Sequence, residues 1–546
     1  MTQPPEPSPV SLISQITIWM VVAVLAALVA PYIALSLYGF FNLDDVVFYE
    51  KVKTLGVLGT IDWYYRISIA RFSVLLLSTI IAAITLVIHL NPLIWLKIWC
   101  LSSFAILFGS LWVLIRTMVP RLSTSGAIIF VLLPLAPLMA FAYEQTGDFP
   151  ELIMSENILP WVLSIYTTGP AVFALLMATM VVAMETDEQV YSTRVQACFW
   201  VLTRGAGWLL ALVFFFLTGM HELFLIAMGL FLALLMWVTS KRSRGAPFSR
   251  FAPFRWMRIG RALREDYDRP FFVGMIFWLG VLLVVSSVIQ LAAPSTLLRQ
   301  EYLPAQSDLF TALWRGVFKL ADLYAEMFSW SQPEFLLSLV AVFAIIRTQT
   351  PRRSLAARNS LLLPSIIVPL SVGWVGISLN LMQEDGINGR TQYFTLLLTY
   401  ISVFCLAVYT AAALPPRFIS RKAWLALGVL SIAGVIYGVS ANPRHREAVK
   451  QALGSGTEYA RGAARRVDQI WRTTGDTAYV SELVAAPTWV SMIGRGTTIA
   501  TLKYFNAELA IIFNKKKVVF YSCRPPTSEA NCDRIIHPVE QTVKPK

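Results

Sequence analysis

About a dozen apolar stretches of membrane-spanning length divide this 546-residue sequence, and they constrain its fold more than any other feature. The hydrocarbon core of a bilayer is about 30 Å thick, so an α-helix needs roughly 20 apolar residues to cross it. Hydrophobic residues make up 56% of the chain and charged residues only 14%, which excludes an ordinary soluble protein. We therefore predict an all-α polytopic membrane protein, with apolar stretches at residues 12–38, 71–90, 93–115, 126–143, 158–183, 200–218, 223–240, 270–293, 333–350, 360–380, 391–413 and 423–440.

The distribution of Lys and Arg predicts the orientation of these helices. Basic residues dominate the segment 241–269, and the segments 347–358 and 417–422 contain basic residues but no acidic ones. Loops of this kind are typically cytoplasmic. By contrast, the segment 144–156 and the turn at 384–385 are acidic and contain no Lys or Arg, so we expect them on the external side.

One apolar stretch conflicts with this orientation. A cytoplasmic N-terminus places Asp44 outside, but three crossings after it would place the acidic segment 144–156 inside. We therefore predict that residues 71–90 form a re-entrant or interfacial helix, since this stretch begins with Arg71 and runs through Asn91 and Pro92 directly into the next one. About eleven spanning helices remain, with an external C-terminus and with Asn91 on the same side as Asp44.

The last hundred residues differ in character from the rest. A basic, amphipathic run at 443–472 precedes short alternating stretches at 478–483, 498–502 and 517–521, which are typical of strands. We predict a transmembrane domain at residues 1–440 and a small external α+β domain at 441–546. Cys523 and Cys532 are the cysteines outside apolar segments, and they fit a disulfide in an oxidising compartment. Two free thiols are the alternative.

An acidic pair, Asp44 and Asp45, follows the first apolar stretch. Carboxylates at the mouth of a membrane helix are costly to keep near hydrocarbon, so such a pair indicates a functional site. The alternative is that Asn42 or Asp44 caps a short interfacial helix. Aromatic and cationic residues follow within what we expect to be one short external loop, and these are Trp63, Tyr64, Tyr65, Arg66 and Arg71.

Three further polar groups fall on the predicted external side. His221 and Glu222 interrupt an apolar stretch, where they either line a water-filled cavity or form a simple turn between helices. The segment 294–333 predicts an amphipathic helix lying on the membrane, or a helix that packs on its neighbours with a solvated face. Arg390 begins a helix and either binds a phosphate or extends to the interface. No metal-ligand spacing is present.

The order of these features resembles the GT-C glycosyltransferases, and is most similar to their O-antigen glucosyltransferase-like branch. The similarity lies in the first two hundred residues and rests on short motifs. An external acidic pair is followed by an aromatic and basic loop, a juxtamembrane helix, and a second acidic loop that contains Glu144 and Asp148. Ser164 and Tyr166 match an external Ser-x-x-Tyr-type motif loosely, His221 and Glu222 match an external acidic position, and Gly389 and Arg390 match a late arginine. The chain departs from that branch at Ala70, where a Gly is common.

The resemblance implies a multi-pass enzyme of the bacterial inner membrane with its active site facing the periplasm. Such enzymes take a sugar from a polyprenyl-phosphate donor and transfer it to a lipid, polysaccharide or protein acceptor. An inverting transfer needs a carboxylate as base and cations for the departing phosphate. We expect Asp44 or Asp45 as the base, and Arg66, Arg71 or Arg390 at the phosphate. The expected substrate-binding residues are Trp63, Tyr64, Tyr65, Glu144, Asp148, Tyr166, His221 and Glu222.

No cofactor is required by the residue spacing. Some related enzymes use a divalent cation, Mg²⁺ or Mn²⁺, at acidic loop residues, and oxygen ligands suit such ions. Two other classes of protein remain open. A transporter or flippase would also be polytopic with polar groups inside the membrane, but the two halves of the chain show no repeat. A polymerase or ligase of surface polysaccharide would share the lipid-linked donor, and the long segment 294–333 is compatible with it.

Overall fold

The computed structural model describes residues 9–38, 43–67, 71–89, 91–141, 167–186, 205–240, 270–295, 307–328, 333–348, 361–383, 389–413, 420–481 and 509–521. Its regular elements are almost all helices, in the order α1 Pro9–Tyr38, α2 Leu43–Ile67, α3 Phe72–Val87, α4 Pro92–Met118, α5 Thr124–Phe141, α6 Thr168–Thr186, α7 Gly205–Thr218, α8 Glu222–Ser240, α9 Pro270–Leu291, α10 Leu309–Met327, α11 Pro333–Thr348, α12 Leu362–Gln383, α13 Gly389–Ala413, α14 Arg421–Ala441, α15 Pro443–Leu453 and α16 Ser455–Arg472. Two strands follow, β1 Thr477–Ser481 and β2 Lys517–Tyr521, and they pair in parallel with Tyr479 opposite Val519.

Six of the described helices are long and apolar enough to cross a membrane, which confirms an all-α membrane protein. They lie within α1, α4, α9, α12, α13 and α14. Five further described helices are apolar but shorter, at 10–17 residues, and they lie within α3, α5, α6, α7 and α8. The apolar residues of these helices are buried where helices meet, and many exposed ones are also apolar, as at Leu212 and Val284. A surface of this kind suits hydrocarbon better than water.

The helices form a bundle with two distinct ends. At one end, which we call the basic end, Arg347 at the C-terminus of α11 donates through Nη1 to the carbonyl oxygen of Ala411, 2.7 Å away, near the C-terminus of α13. Trp424, in the first turn of α14, lies there as well, with its ring 6.0 Å from the Arg347 guanidinium carbon. We call the opposite end the site end, where α13 begins with Thr391 in its first turn and the side chain of Asn380 donates to the Thr391 hydroxyl over 2.6 Å.

The prediction that residues 42–72 form a short loop is wrong for most of this stretch, because Leu43–Ile67 is the helix α2. In its first part the buried side chains Phe48, Tyr49 and Val52 recur at helical spacing, and packing of this face stabilises the helix. The predicted acidic pair lies in the first turn of α2, where a helix dipole favours negative charge.

Gly56 divides α2 into two parts. Its φ of 71° lies in the left-handed region, so the chain bends there and regular helix continues on either side of the kink. Only glycine adopts this conformation without a steric cost. The two halves of α2 consequently pack on each other, since the rings of Phe48 and Tyr64 have centroids 5.4 Å apart.

Helix α3 is short, and both of its ends lie against elements of the site end. At its start, the Ser73 backbone N–H donates to the carbonyl oxygen of Gly219 over 3.3 Å. Near its end, the Thr85 side chain lies close to the Tyr49 hydroxyl of α2. The next helix, α4, starts close by, since the Trp95 ring stacks on Phe48 with centroids 6.0 Å apart.

The C-terminal segment packs on α1 and α2. His445 of α15 lies beside Tyr32 of α1, with the Tyr32 hydroxyl 3.3 Å from Nδ1. Lys53 of α2 donates through Nζ to the carbonyl oxygens of Ile511 and Ile512 and to Oδ1 of Asn514, at 2.6–2.7 Å. These contacts attach the last described residues to the site end.

Helix α10 combines the two alternatives predicted for the segment 294–333. One face is buried, with Ala312, Gly316 and Leu320 among its residues, and it packs on α12. The Gly316 position leaves no room for a Cβ atom beside Ser378 of α12, so the two helices approach closely. A second face exposes Phe310, Trp314, Val317 and Phe318, while Arg315, Lys319, Asp322 and Glu326 lie along a third.

Candidate functional site

The centre of the site is an ion pair between two residues that lie 151 positions apart. Arg71 Nε donates to Oε2 of Glu222 over 2.9 Å. The Arg71 side chain is 11% exposed and the Glu222 side chain 36% exposed, so the pair lies partly inside the protein and the carboxylate faces an opening. Fold geometry thus joins two residues that the sequence singles out independently.

His221 lies against this pair. Its Nδ1 is 3.2 Å from Glu222 Oε2 and also 3.2 Å from the backbone nitrogen of Leu223. One ring nitrogen carries either a proton or a lone pair, so it bonds the carboxylate as a donor or the backbone N–H as an acceptor. In either case the imidazole lies within hydrogen-bonding distance of the Glu222 carboxylate.

A tight turn between α7 and α8 positions Glu222. Residues 219–221 connect the two helices, and Glu222 is the first residue of α8. The Gly219 position has no space for a Cβ atom, which would overlap the Ser73 hydroxyl and the Phe72 ring. The close approach of this turn to the start of α3 brings Arg71 within reach of the carboxylate.

Polar residues of α9 support the same turn. Gln290 donates through Nε2 to the carbonyl oxygen of Thr218 over 2.6 Å, and the Thr218 hydroxyl lies 2.8 Å from that of Ser286. Both contacts are buried. Sequence reasoning missed these residues. The signal that would have found them is a Ser and a Gln four positions apart inside an apolar helix, because intramembrane polar groups usually have a partner.

Tyr65 links α2 to this support. Its hydroxyl donates to the carbonyl oxygen of Ile289 over 2.7 Å, one residue before Gln290. Its neighbour Tyr64 is only 7% exposed and packs on Phe48. Trp63 is partly exposed, meets Tyr64 edge to face, and has the Lys51 ammonium 5.2 Å from its ring centroid.

The other predicted site residues are placed less closely or lie outside the described residues. Arg66 pairs with Asp62 over 2.9 Å on the exposed side of α2, and this ion pair is separate from that of Arg71 and Glu222. Asp44, Asp45 and Arg390 lie in described helices, but their side chains lie outside the described structure. Glu144, Asp148, Ser164 and Tyr166 lie outside the described residues altogether, as do Cys523 and Cys532.

The start of α13 closes the site on a further side. Phe394 lies one helical turn after Arg390, and its ring is 5.7 Å from that of His221 and 5.3 Å from that of Phe224. The backbone of Arg390 therefore belongs to the same end of the bundle as Arg71. Three of the predicted site segments, from α3, α8 and α13, thus meet at the site end.

No cluster of three His, Cys, Asp or Glu side chains suitable for a metal ion occurs within the described ranges. The Glu222 carboxylate of the site already bonds a cation, Arg71. A divalent ion would need carboxylates from other parts of the chain, and Glu222 alone does not define such a site.

The fold and this end of the bundle define an all-α membrane protein with an arginine–carboxylate pair in a partly exposed position. No family model, curated protein or solved structure matches the chain. The chemistry of the residues themselves is therefore the basis for a functional proposal.

Proposed function

We propose that this protein is a membrane glycosyltransferase that moves a sugar from a polyprenyl-phosphate donor to a lipid, polysaccharide or protein acceptor on the external face of the membrane. The observation that carries the proposal is the ion pair of Arg71 and Glu222, 2.9 Å apart at the site end. A guanidinium has five N–H donors in a planar fork, so it can bond a carboxylate and a phosphate oxygen together.

The proposed topology has eleven crossings, by α1, α4, α5, α6, α7, α8, α9, α11, α12, α13 and α14. Helices α2, α3 and α10 stay on the external side. Helix α3 has 16 residues, and its length does not distinguish it from the proposed crossings α7 and α11, which have 14 and 16. Both of its ends contact the site end, at Gly219 and at Tyr49, which supports a helix that does not cross.

The basic loops support the same orientation. Arg347 and Arg421 lie at the basic end, where α11 ends and α14 begins. In the proposed topology the segments 241–269, 347–358 and 417–422 all connect helices on this same side. The positive-inside rule assigns this end to the cytoplasm. In a bacterium the site end would then face the periplasm across the inner membrane.

The proposed chemistry assigns each residue a role in one displacement. A carboxylate of Asp44 or Asp45 accepts the proton of the acceptor hydroxyl, the acceptor oxygen bonds to the anomeric carbon, and the bond from that carbon to the phosphate oxygen breaks. Polyprenyl phosphate leaves, and Arg71 stabilises its added negative charge. Glu222 acts as a positioning residue, because its carboxylate fixes the Arg71 guanidinium.

The test is transfer of a radiolabelled sugar by purified protein in detergent, starting with polyprenyl-phosphate glucose. Arg71→Ala should raise the KM for the donor by at least about tenfold, since one charge-assisted hydrogen bond to phosphate contributes roughly 1.5–3 kcal/mol. Arg71→Lys should recover part of the loss. The matched control is Arg66→Ala, which removes an exposed guanidinium paired only within α2 and should change the KM less than about twofold.

Normal donor binding and turnover in folded Arg71→Ala would contradict the role of the ion pair. Absence of transfer by the wild-type protein with every polyprenyl-phosphate sugar tried would contradict the proposed reaction itself. A mass difference of one sugar in the lipids or glycans of a deletion strain would support it. Loss of whole repeats from a polysaccharide ladder would favour the polymerase or ligase, and movement of the labelled lipid across proteoliposomes without transfer would favour the flippase.

A further inference from the structure

An apolar groove lies on the outside of the bundle between three helices. It has a volume of about 500 Å³ and is open along its length. Leu339 and Phe343 of α11, Val403 and Ala407 of α13, and Trp424 and Leu427 of α14 are among the residues that line it. Ligand sites in proteins commonly have about 300–1,000 Å³ and mostly apolar walls. The groove is therefore large enough for a hydrocarbon chain, and its wall offers almost no polar atoms to any other ligand.

The end of this groove at Trp424 is basic. Trp424 both lines the groove and lies 6.0 Å from the guanidinium of Arg347, which follows Phe343 by one helical turn. Arg421 and Lys422, in the first turn of α14, are exposed beside it. The indole Nε1 of Trp424 is shielded from solvent, so Trp424 presents the apolar part of its ring to the groove. A ligand with an anionic oxygen at this end would meet the cations.

No acidic residue occurs in the described segments around this end, at 343–348, 406–413 and 420–427. An apolar wall that ends in cations without compensating carboxylates matches an amphiphile with an anionic head and a hydrocarbon tail. Basic pockets between transmembrane helices are known to bind the head groups of anionic lipids.

The groove is separate from the candidate functional site. Along α13, Phe394 contacts His221 of the site, whereas Ala411 accepts the hydrogen bond from Arg347 at the basic end. These residues are 17 positions apart, and a rise of 1.5 Å per residue gives about 25 Å between them. A lipid in the groove would lie in the leaflet opposite the site, so it is not the sugar donor.

We propose that this groove binds an anionic phospholipid, with one acyl chain between α11, α13 and α14 and the phosphate at Trp424, Arg421 and Lys422. Arg347 adds positive charge while it remains bonded to Ala411. The lipid contacts all three helices, and it belongs to the leaflet at the basic end. This inference does not depend on the reaction proposed above.

The experiment measures lipid binding to the full-length protein by native mass spectrometry in detergent, with phosphatidylglycerol and phosphatidylcholine of identical acyl chains as probes. The wild-type protein should bind phosphatidylglycerol at least about tenfold more tightly, because basic residues near a membrane surface attract an anionic lipid. The double variant Arg421→Gln, Lys422→Gln should remove most of this preference and leave phosphatidylcholine binding unchanged.

A groove-filling variant tests the position of the acyl chain. Ala407→Phe places a ring in the groove and should weaken phosphatidylglycerol binding at least about tenfold. The matched control is Ala105→Phe, the same substitution at an exposed position of α4, which should bind as the wild type does. Val403→Phe, at a second position that lines the groove, serves where Ala407→Phe does not fold and should also weaken binding. Equal affinity for the two lipids, or the same affinity in the groove and control variants, would overturn the proposal.

Discussion

Two interactions hold the carboxylate of Glu222 in place. Glu222 is the first residue of α8, where the free N–H groups of a helix start favour negative charge, and it accepts the hydrogen bond from Arg71. A carboxylate held in this way suits the fixing of a cation better than the removal of a proton from a substrate, so the base is best sought at Asp44 or Asp45.

The acidic pair also has a purely structural explanation, because both residues lie in the first turn of α2. Asp44→Asn and Asp45→Asn distinguish the two roles. Loss of a favourable dipole interaction costs about 0.3–1 kcal/mol of stability, whereas loss of a general base typically lowers the rate by roughly 10²–10⁴-fold. We expect one of the two variants to stop sugar transfer while it retains donor binding and thermal stability.

The control for this pair of substitutions is Asp62→Asn on the same helix, which removes an exposed carboxylate paired with Arg66. Transfer by that variant should be normal. If the double variant Asp44→Asn, Asp45→Asn also turns over normally, the acidic pair is structural, and the base lies among Glu144, Asp148, Glu151 and Glu222.

At the scale of elements, the contact between α3 and the turn before α8 depends on a single glycine. Gly219→Ala adds a methyl group where the Ser73 hydroxyl and the Phe72 ring already lie. Overpacking of this kind typically costs about 1–3 kcal/mol. We expect a lower melting temperature and weaker donor binding, since the shift moves Arg71 away from Glu222. Thermal unfolding in detergent measures the first effect and the transfer assay the second.

Gly280→Ala is the matched control, because the added methyl group at this position of α9 meets no atom within 4 Å. Alanine favours helix over glycine by about 1 kcal/mol, so this variant should be as stable as the wild type or more stable. Equal effects of the two substitutions would mean that the turn at Gly219 accommodates a side chain, and that the position of Arg71 does not depend on it.

The path of α3 gives a prediction about topology. If α3 returns to the side from which it entered, a cysteine at Asn91 should react with an impermeant thiol reagent in intact cells, in a background without the native cysteines. Asn91 caps α4, its Oδ1 accepting from the Leu93 N–H over 2.9 Å, and a cysteine there should reduce stability only modestly. A cysteine at Ser123, between α4 and α5, should react only after permeabilisation. The reverse pattern would refute a returning α3.

At the scale of the whole molecule, the C-terminal segment continues the packing of the bundle. The proposed boundary after residue 440 falls at the last residue of α14, yet the buried apolar residues of the two parts form one cluster. Tyr32 meets His445, and the Tyr38 ring lies where a side chain at Gly456 would be. Residues 441–481 are therefore attached to α1 over an extended surface.

His445 makes this attachment sensitive to pH. Burial lowers the pKa of His445 below its ordinary value of 6.5, since desolvation disfavours the charged imidazole. The unfolded state then binds more protons than the folded state between the two pKa values, so stability falls as the pH drops below 6.5 and levels off below the lowered pKa. We expect the melting temperature in detergent to decrease over this range.

His445→Gln should remove that part of the decrease, because glutamine does not titrate. The comparison is made between pH 7.5 and pH 5, with both proteins in the same detergent. An identical decrease in the two proteins would assign the pH effect to other groups, such as carboxylates of the C-terminal segment.

The sequence predicts membrane helices well because each depends on a local property. A run of about 20 apolar residues can satisfy its backbone hydrogen bonds in lipid only as a helix or within a barrel, whatever its neighbours are. The same local reasoning failed at α2, where a mixture of acidic, aromatic and basic residues suggested a loop. Phe48 and Tyr49 of α2 are buried because they pack on Trp95, which belongs to another helix.

The amino-acid sequence alone predicts the class of protein, and it singles out Arg71, His221 and Glu222 as candidate site residues. Tertiary packing then brings Arg71 to Glu222, places His221 beside this pair, and lets Tyr65 support the site through α9. The difference lies in how far along the chain each interaction acts. Hydrophobic length acts within one helix, whereas an ion pair between residues 151 positions apart exists only after close packing at Gly219 has brought two helix ends together.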